Sequence, residues 1–193
     1  MFLCGKNMKL KKTPVRLICL LSIVALIGID RLTKWLAVLH LNPDGVPKSI
    51  NVIRINGADI LNLTYCENTG AAFSILAGQR LFLILATGLL ITGALIFLLS
   101  DRMKNKWLLA ALTLIITGGT GNLIDRVFDG YVVDFIDVHI INFAIFNFAD
   151  ICAVSGALIF LFVMLQEEIK NMKLKKQSRD AALPEAAEAN ENE

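Results

Sequence analysis

Residues 81–99 read LFLILATGLLITGALIFLL and residues 107–124 read WLLAALTLIITGGTGNLI, 19 and 18 residues without a charged side chain. A helix rises about 1.5 Å per residue, so each stretch is of the length that crosses a hydrocarbon core of roughly 30 Å. Two shorter uncharged blocks flank them, at 17–29 and 151–165. Each is too short to span alone and reaches spanning length only by taking in a neighbouring carboxylate: Asp30 after the first block, Asp150 before the last. The pattern predicts a membrane all-α fold, a bundle of four transmembrane helices at about 16–36, 81–99, 107–124 and 148–166. A cleaved signal peptide is the alternative for the first block, but Asp-Arg-Leu-Thr-Lys follows Ile29 where a small-x-small cleavage pattern belongs.

Composition agrees, since 55% of the 193 residues are hydrophobic and only 19% charged, far from the soluble balance. The basic residues are unevenly placed. Five (Lys6, Lys9, Lys11, Lys12, Arg16) precede the first span, three lie within 100–106, and five (Lys170, Lys173, Lys175, Lys176, Arg179) follow the fourth. Lys and Arg accumulate on the cytoplasmic side, so both termini and Lys104 are expected inside, and the two longer connections face outward. One integral membrane domain is expected over 1–176, followed by a polar tail over 177–193 whose composition predicts disorder.

The first outward region, 42–79, holds two strand-like runs, 50–55 and 60–66, around Asn56-Gly57-Ala58-Asp59, which reads as a β-hairpin and predicts a small extracytoplasmic sheet. The second, 127–147, carries Asp129, Asp134, Asp137 and His139 among Ile, Val and Phe, and is expected to lie against the bilayer interface. Cys4, Cys19, Cys66 and Cys152 share no metal or disulfide spacing. Cys4 has no apolar stretch before it that would make it a lipidation site.

With the amino terminus inside, spans one and three end at the outer face and span four begins there. Asp30 with Lys34, Asp125 with Arg126, and Asp150 therefore converge, and Asp134 lies close by. Ionisable groups at membrane depth are costly unless paired or facing a wet cavity. Interfacial anchoring explains a few of them, but four aspartates on one side exceed what anchoring requires. Two carboxylates in a poorly solvated site cannot both ionise easily, so one keeps a proton while the other stays charged, which is the acid/base pair of an aspartic protease. Asp125 and Asp134 are both placed to meet Asp150, and position alone does not choose between them.

Other chemistries are poorly supplied. Neither His40 nor His139 belongs to a His-Glu-x-x-His motif, and no Ser or Cys sits in a nucleophile elbow. Gly118-Gly-Thr-Gly-Asn122 lacks the Lys-Ser/Thr of a phosphate loop and reads as a place of close helix packing or close approach to a substrate. No cofactor, metal or nucleic acid is expected.

Five motifs in order resemble the lipoprotein signal peptidase family (type II signal peptidases): Asp30-Arg-Leu-Thr-Lys34, Asn68-Thr-Gly-Ala-Ala-Phe73, Gly118-Gly-Thr-Gly-Asn-Leu-Ile-Asp-Arg126, Val132-Val-Asp-Phe135 and Phe146-Asn-Phe-Ala-Asp150. The resemblance covers about 17–165. It implies an intramembrane aspartic endopeptidase of the bacterial inner membrane that removes the signal peptide from diacylglyceryl-modified prolipoproteins at the lipidated cysteine, working as a monomer among membrane lipids. It also implies Asp134 and Asp150 as the catalytic pair, with Asp125 structural beside Arg126. Asn68, Gly70, Asn122, Arg126 and Asn147 would line or support the site, and Asp30 with Lys34 would brace the first helix. Asn147 also reads as a helix cap and Asn122 as a bond across helices. Cys66, Glu67 and Asp137 depart from the expected pattern near the site. The runner-up is a small proton-coupled transporter, which needs a relay of carboxylates across the membrane rather than a cluster at one face.

Overall fold

The structure, a computed structural model, describes residues 12–71, 75–100, 103, 105–140 and 143–191, with side chains described from 15 to 177 within those bounds. Cys4, Lys104 and the Ala72-Phe73 end of the second motif lie outside the described residues.

The chain is mostly helical: α1 (Lys12–Leu41), α2 (Arg80–Leu99), α3 (Lys106–Phe128) and α4 (Phe148–Glu191), with a small sheet of β1 (Ser49–Ile55), β2 (Ala58–Asn68) and β3 (Val132–Val138). Among the described residues, α2, α3 and α4 are long and apolar enough to cross a membrane. The first expected span, 16–36, falls within α1, whose 30 residues include Asp30, Arg31 and Lys34. Leu85, Leu89 and Leu90 of α2 and Val154, Leu158 and Phe162 of α4 are exposed. Such a belt of apolar side chains on helices whose backbone bonds are internally satisfied is the surface that lipid covers.

Packing runs outward from α3, against which α1, α2 and α4 all lie. Glycine makes the closest of these approaches possible. A Cβ on Gly118 would stand 2.3 Å from the Ala149 carbonyl oxygen, and one on Gly121 would stand 2.6 Å from Asp30 Oδ2. The glycine-rich run therefore serves helix packing, seating α4 and the end of α1 directly on the α3 backbone. At the opposite end Cys19 and Ile23 of α1, Leu98 of α2, and Leu109, Leu112 and Ile116 of α3 form an apolar core.

The predicted hairpin is present. Ile55 pairs with Ala58, leaving Asn56 and Gly57 as a two-residue turn with φ of 51° and 84°, the left-handed pair that matches strand twist. The third strand is a finding beyond the sequence reading, which placed 127–147 against the interface. β3 pairs antiparallel with β2, giving the order β1-β2-β3. A register shift between Leu63 and Cys66 sets Cys66 opposite Asp134. Ala37 and Leu41 of α1 pack against Tyr65 and Val133, which fixes the sheet to the end of the bundle.

The helix α4 continues into the tail, to Glu191. Residues 177–193 hold five Ala and four Glu, both of which favour helix.

Candidate active site

Asp150 occupies the first turn of α4, and its local geometry follows from Asn147. The Asn147 side-chain oxygen accepts from the Asp150 backbone N–H at 3.0 Å, while Asp150 Oδ2 accepts from the Asn147 N–H at 3.1 Å. This is a reciprocal cap of the capping-box type, which satisfies two backbone donors that a helix start otherwise leaves open. It also locks the carboxylate at the positive end of the helix dipole.

The same asparagine reaches the other predicted carboxylate, since Asn147 Nδ2 donates to Asp134 Oδ1 at 2.7 Å. Asp134 Oδ2 accepts from Asn68 Nδ2 at 3.0 Å. Asp150 Oδ1 accepts from Asn122 Nδ2 at 2.7 Å. Three asparagines from β2, α3 and the cap of α4 thus hold two aspartates from β3 and α4. Both carboxylates line one cavity of about 550 Å³, together with Asn68, Asn122 and Arg126. Phe143 and Phe146, edge to face at 5.8 Å, belong to its wall.

Burial pushes the Asp134 carboxyl up to about 6, and the charge of Asp150 adds to this, against the opposing hydrogen bonds from Asn68 and Asn147. A carboxyl in that range keeps a useful share of its proton near neutral pH. Cys66, across the strand pair, is no rival nucleophile. Its thiol is pushed up by burial first and by Asp134 next, which disfavours the reactive thiolate.

Behind the asparagines lies an ionic cluster. Lys34 Nζ stands 3.1 Å from Asp30 and 2.6 Å from Asp125, and donates to Asn122 Oδ1 at 2.9 Å. Arg31 bridges the same two aspartates and donates to the Gly121 carbonyl. Asp30 Oδ1 accepts from the Ala149 N–H at 3.1 Å, so the cluster also fastens the start of α4.

The expected pairing of Asp125 with Arg126 is corrected here. Neighbours in a helix point about 100° apart, and Asp125 turns to α1 while Arg126 turns into the cavity. Arg126 Nη2 donates to the Gly70 carbonyl at 2.6 Å, which is the role the structure gives Gly70. Its buried Nε has no hydrogen-bond partner among the described residues. Arg31 is the residue the sequence reading leaves out. Its signal was present, since Arg31 and Lys34 stand three apart and so share a helix face.

Asp137 sits further along β3, accepting from Thr64 at 2.8 Å and contacting His139 Nε2 at 2.9 Å. Neither belongs to the cavity lining.

The sequence model of the family described as signal peptidase (SPase) II matches residues 22–166. The chain belongs to that family. It is 42% identical over 147 residues to the lipoprotein signal peptidase of Streptococcus thermophilus (strain CNRZ 1066), covering 76% of this chain and 92% of that protein. It is 40% identical over 154 residues to the lipoprotein signal peptidase of Streptococcus pneumoniae (strain ATCC BAA-255 / R6), covering 80% and 96%. A bacterial membrane enzyme solved by the in meso method at 2.3 Å resolution superposes with a TM-score of 0.70 at 32% identity, over 78% of this chain and 89% of that one. Signal peptidase II membership makes the chain a peptidase, and its apolar helices make it a multi-pass protein of a bacterial membrane.

Proposed function

We propose that the chain is an aspartic endopeptidase that cuts the signal peptide from diacylglyceryl-modified prolipoproteins, with Asp134 and Asp150 as its catalytic pair. The observation that carries this reading is the bridge made by Asn147, which holds one oxygen of each aspartate in a single cavity at the end of apolar helices. Family membership and the names of the relatives support the substrate class.

The chemistry divides between the two environments. Asp150, at a helix N-terminus and accepting from two donors, takes a proton from water as the water oxygen attacks the scissile carbonyl carbon. Asp134, whose burial raises the share of carboxyl that keeps its proton, donates that proton to the carbonyl oxygen, giving a neutral gem-diol. Collapse re-forms the carbonyl, breaks the C–N bond and returns the Asp150 proton to the leaving amine, while Asp134 recovers its own. Arg126, whose side chain lines the cavity, is placed to hold substrate backbone. Asn68, Asn122 and Asn147 fix the carboxylates, and Asp30, Arg31, Lys34 and Asp125 fix the asparagines and helix ends.

In this reading α1 crosses the membrane as well, as the first of four spans. The asymmetry of Lys and Arg puts both termini in the cytoplasm and the sheet and dyad at the outer face. Carboxylates gathered at one end favour a protease over a transmembrane proton relay. Incubation of the purified protein with a diacylglyceryl-modified prolipoprotein tests the function. A shortened product is expected, and its yield should persist in excess chelator. Absence of product, or loss on chelation restored by a divalent ion, would count against the proposal.

A further inference from the structure

The cavity continues past the dyad. Along α4 its lining runs from Asp150 through Ile151 and Val154 to Ser155, and on α2 it takes in Leu83 and Thr87, with Gly119 of α3 between them. At about 1.5 Å per residue, Ser155 stands roughly 7 Å further along α4 than Asp150, inside the apolar stretch. Gly119 lets α2 lie close against α3 here. A Cβ there would meet Ile91 Cγ1 at 3.0 Å and Thr87 Cγ2 at 3.7 Å.

Three other hydroxyls on these helices bond to their own backbone. Thr92 donates to the Gly88 carbonyl at 2.8 Å, Thr113 to Leu109 at 2.8 Å and Thr117 to Thr113 at 2.9 Å. Thr87 and Ser155, both half-buried in the cavity wall, make no such bond among the described residues. A hydroxyl in apolar surroundings without an acceptor carries a free-energy penalty. Two such donors at this depth therefore suit an occupant that brings acceptors.

We propose that Thr87 and Ser155 form a subsite for the ester carbonyls of the substrate's glyceryl-linked acyl chains, a role that rests on the peptidase function proposed above. Acyl chains attached beside the scissile bond must pass from the dyad into hydrocarbon, and the cavity runs that way between α2 and α4, each seated on α3. An ester carbonyl accepts and never donates, which matches two hydroxyl donors. The other candidate acceptor is the backbone of the signal peptide's apolar helix, but a helix pairs its carbonyls internally. The ester is the acceptor left in need of a partner.

The test compares two prolipoproteins that differ only in the linkage of the lipid chains, diacyl or dialkyl, since the ether form keeps the chains and lacks the carbonyls. Wild-type protein should cut the diacyl substrate with a higher kcat/KM, by about fivefold for each hydrogen bond lost. In Thr87→Val with Ser155→Ala, shape is nearly kept and the donors are gone, so the two substrates should converge on one kcat/KM. Equal cutting of both substrates by the wild type would overturn the subsite and leave the peptidase standing. So would a double variant that still prefers the diacyl form. Cutting of neither by the wild type would overturn the peptidase function, and the subsite with it.

Discussion

Asn147 does two jobs with one side chain, capping α4 through its oxygen and holding Asp134 through its nitrogen. The sequence offers capping and a place at the site as competing readings, and one side chain makes the cap and the bond to Asp134 together. Asn68 works on Asp134 from the other side, and its hydrogen bond favours the charged carboxylate. Removing that donor should raise the Asp134 pKa above its value of about 6, so the basic limb of the pH–kcat/KM profile should move to higher pH in Asn68→Ala. A limb that stays or moves down would dissociate it from Asp134. Asp125 is a different case. It is buried between Arg31 and Lys34, and Asp125→Asn leaves Lys34 desolvated with less counter-charge. A loss of about 3 kcal/mol in stability is expected, read as a lowered Tm in detergent. An unchanged Tm would remove Asp125 from the structural role.

At the scale of elements, the apolar helices were legible from length and charge alone, as was the hairpin from Asn56-Gly57. β3 was hidden for a physical reason. Val132, Val133 and Asp134 are all buried, so the strand lacks the alternation of a half-buried sheet, and its two aspartates stand three apart rather than two. The partner of Asp125 was also out of reach, since the cations that hold it lie 91 to 94 positions earlier, on α1. What the sequence did show is that Gly118 and Gly121 mark close packing. Gly118→Ala would press a methyl against the Ala149 carbonyl, where the room is 2.3 Å, and must push α4 away from α3. We expect a stability loss of about 1–3 kcal/mol together with reduced cleavage, because Ala149 neighbours Asp150. Full activity and an unchanged Tm in that variant would contradict the packing.

For the whole molecule, charge asymmetry predicts orientation: the turn at Asn56 outside and the start of α3 at Lys106 inside. Both positions are exposed. In a background with the four native cysteines replaced, an impermeant thiol reagent applied to intact cells should label a cysteine at 56 and spare one at 106. The reverse pattern would invert the topology and move the dyad to the cytoplasmic face. The family motifs carried the choice of Asp134 over Asp125, which convergence at one face left open. In the structure Asp125 faces α1 and is not among the cavity-lining residues, while Asp134 is among them.

The most direct test of the two-aspartate account is prolipoprotein cleavage by Asp134→Asn and Asp150→Asn, measured beside thermal unfolding. An amide keeps the size and most of the hydrogen bonding of the carboxyl, but it neither takes a proton from water nor supplies one to the carbonyl oxygen. Both variants should remain folded with cleavage abolished, while Asp137→Asn, held by Thr64 and His139 outside the cavity lining, should keep cutting. Substantial turnover by a folded Asp134→Asn or Asp150→Asn would contradict the account.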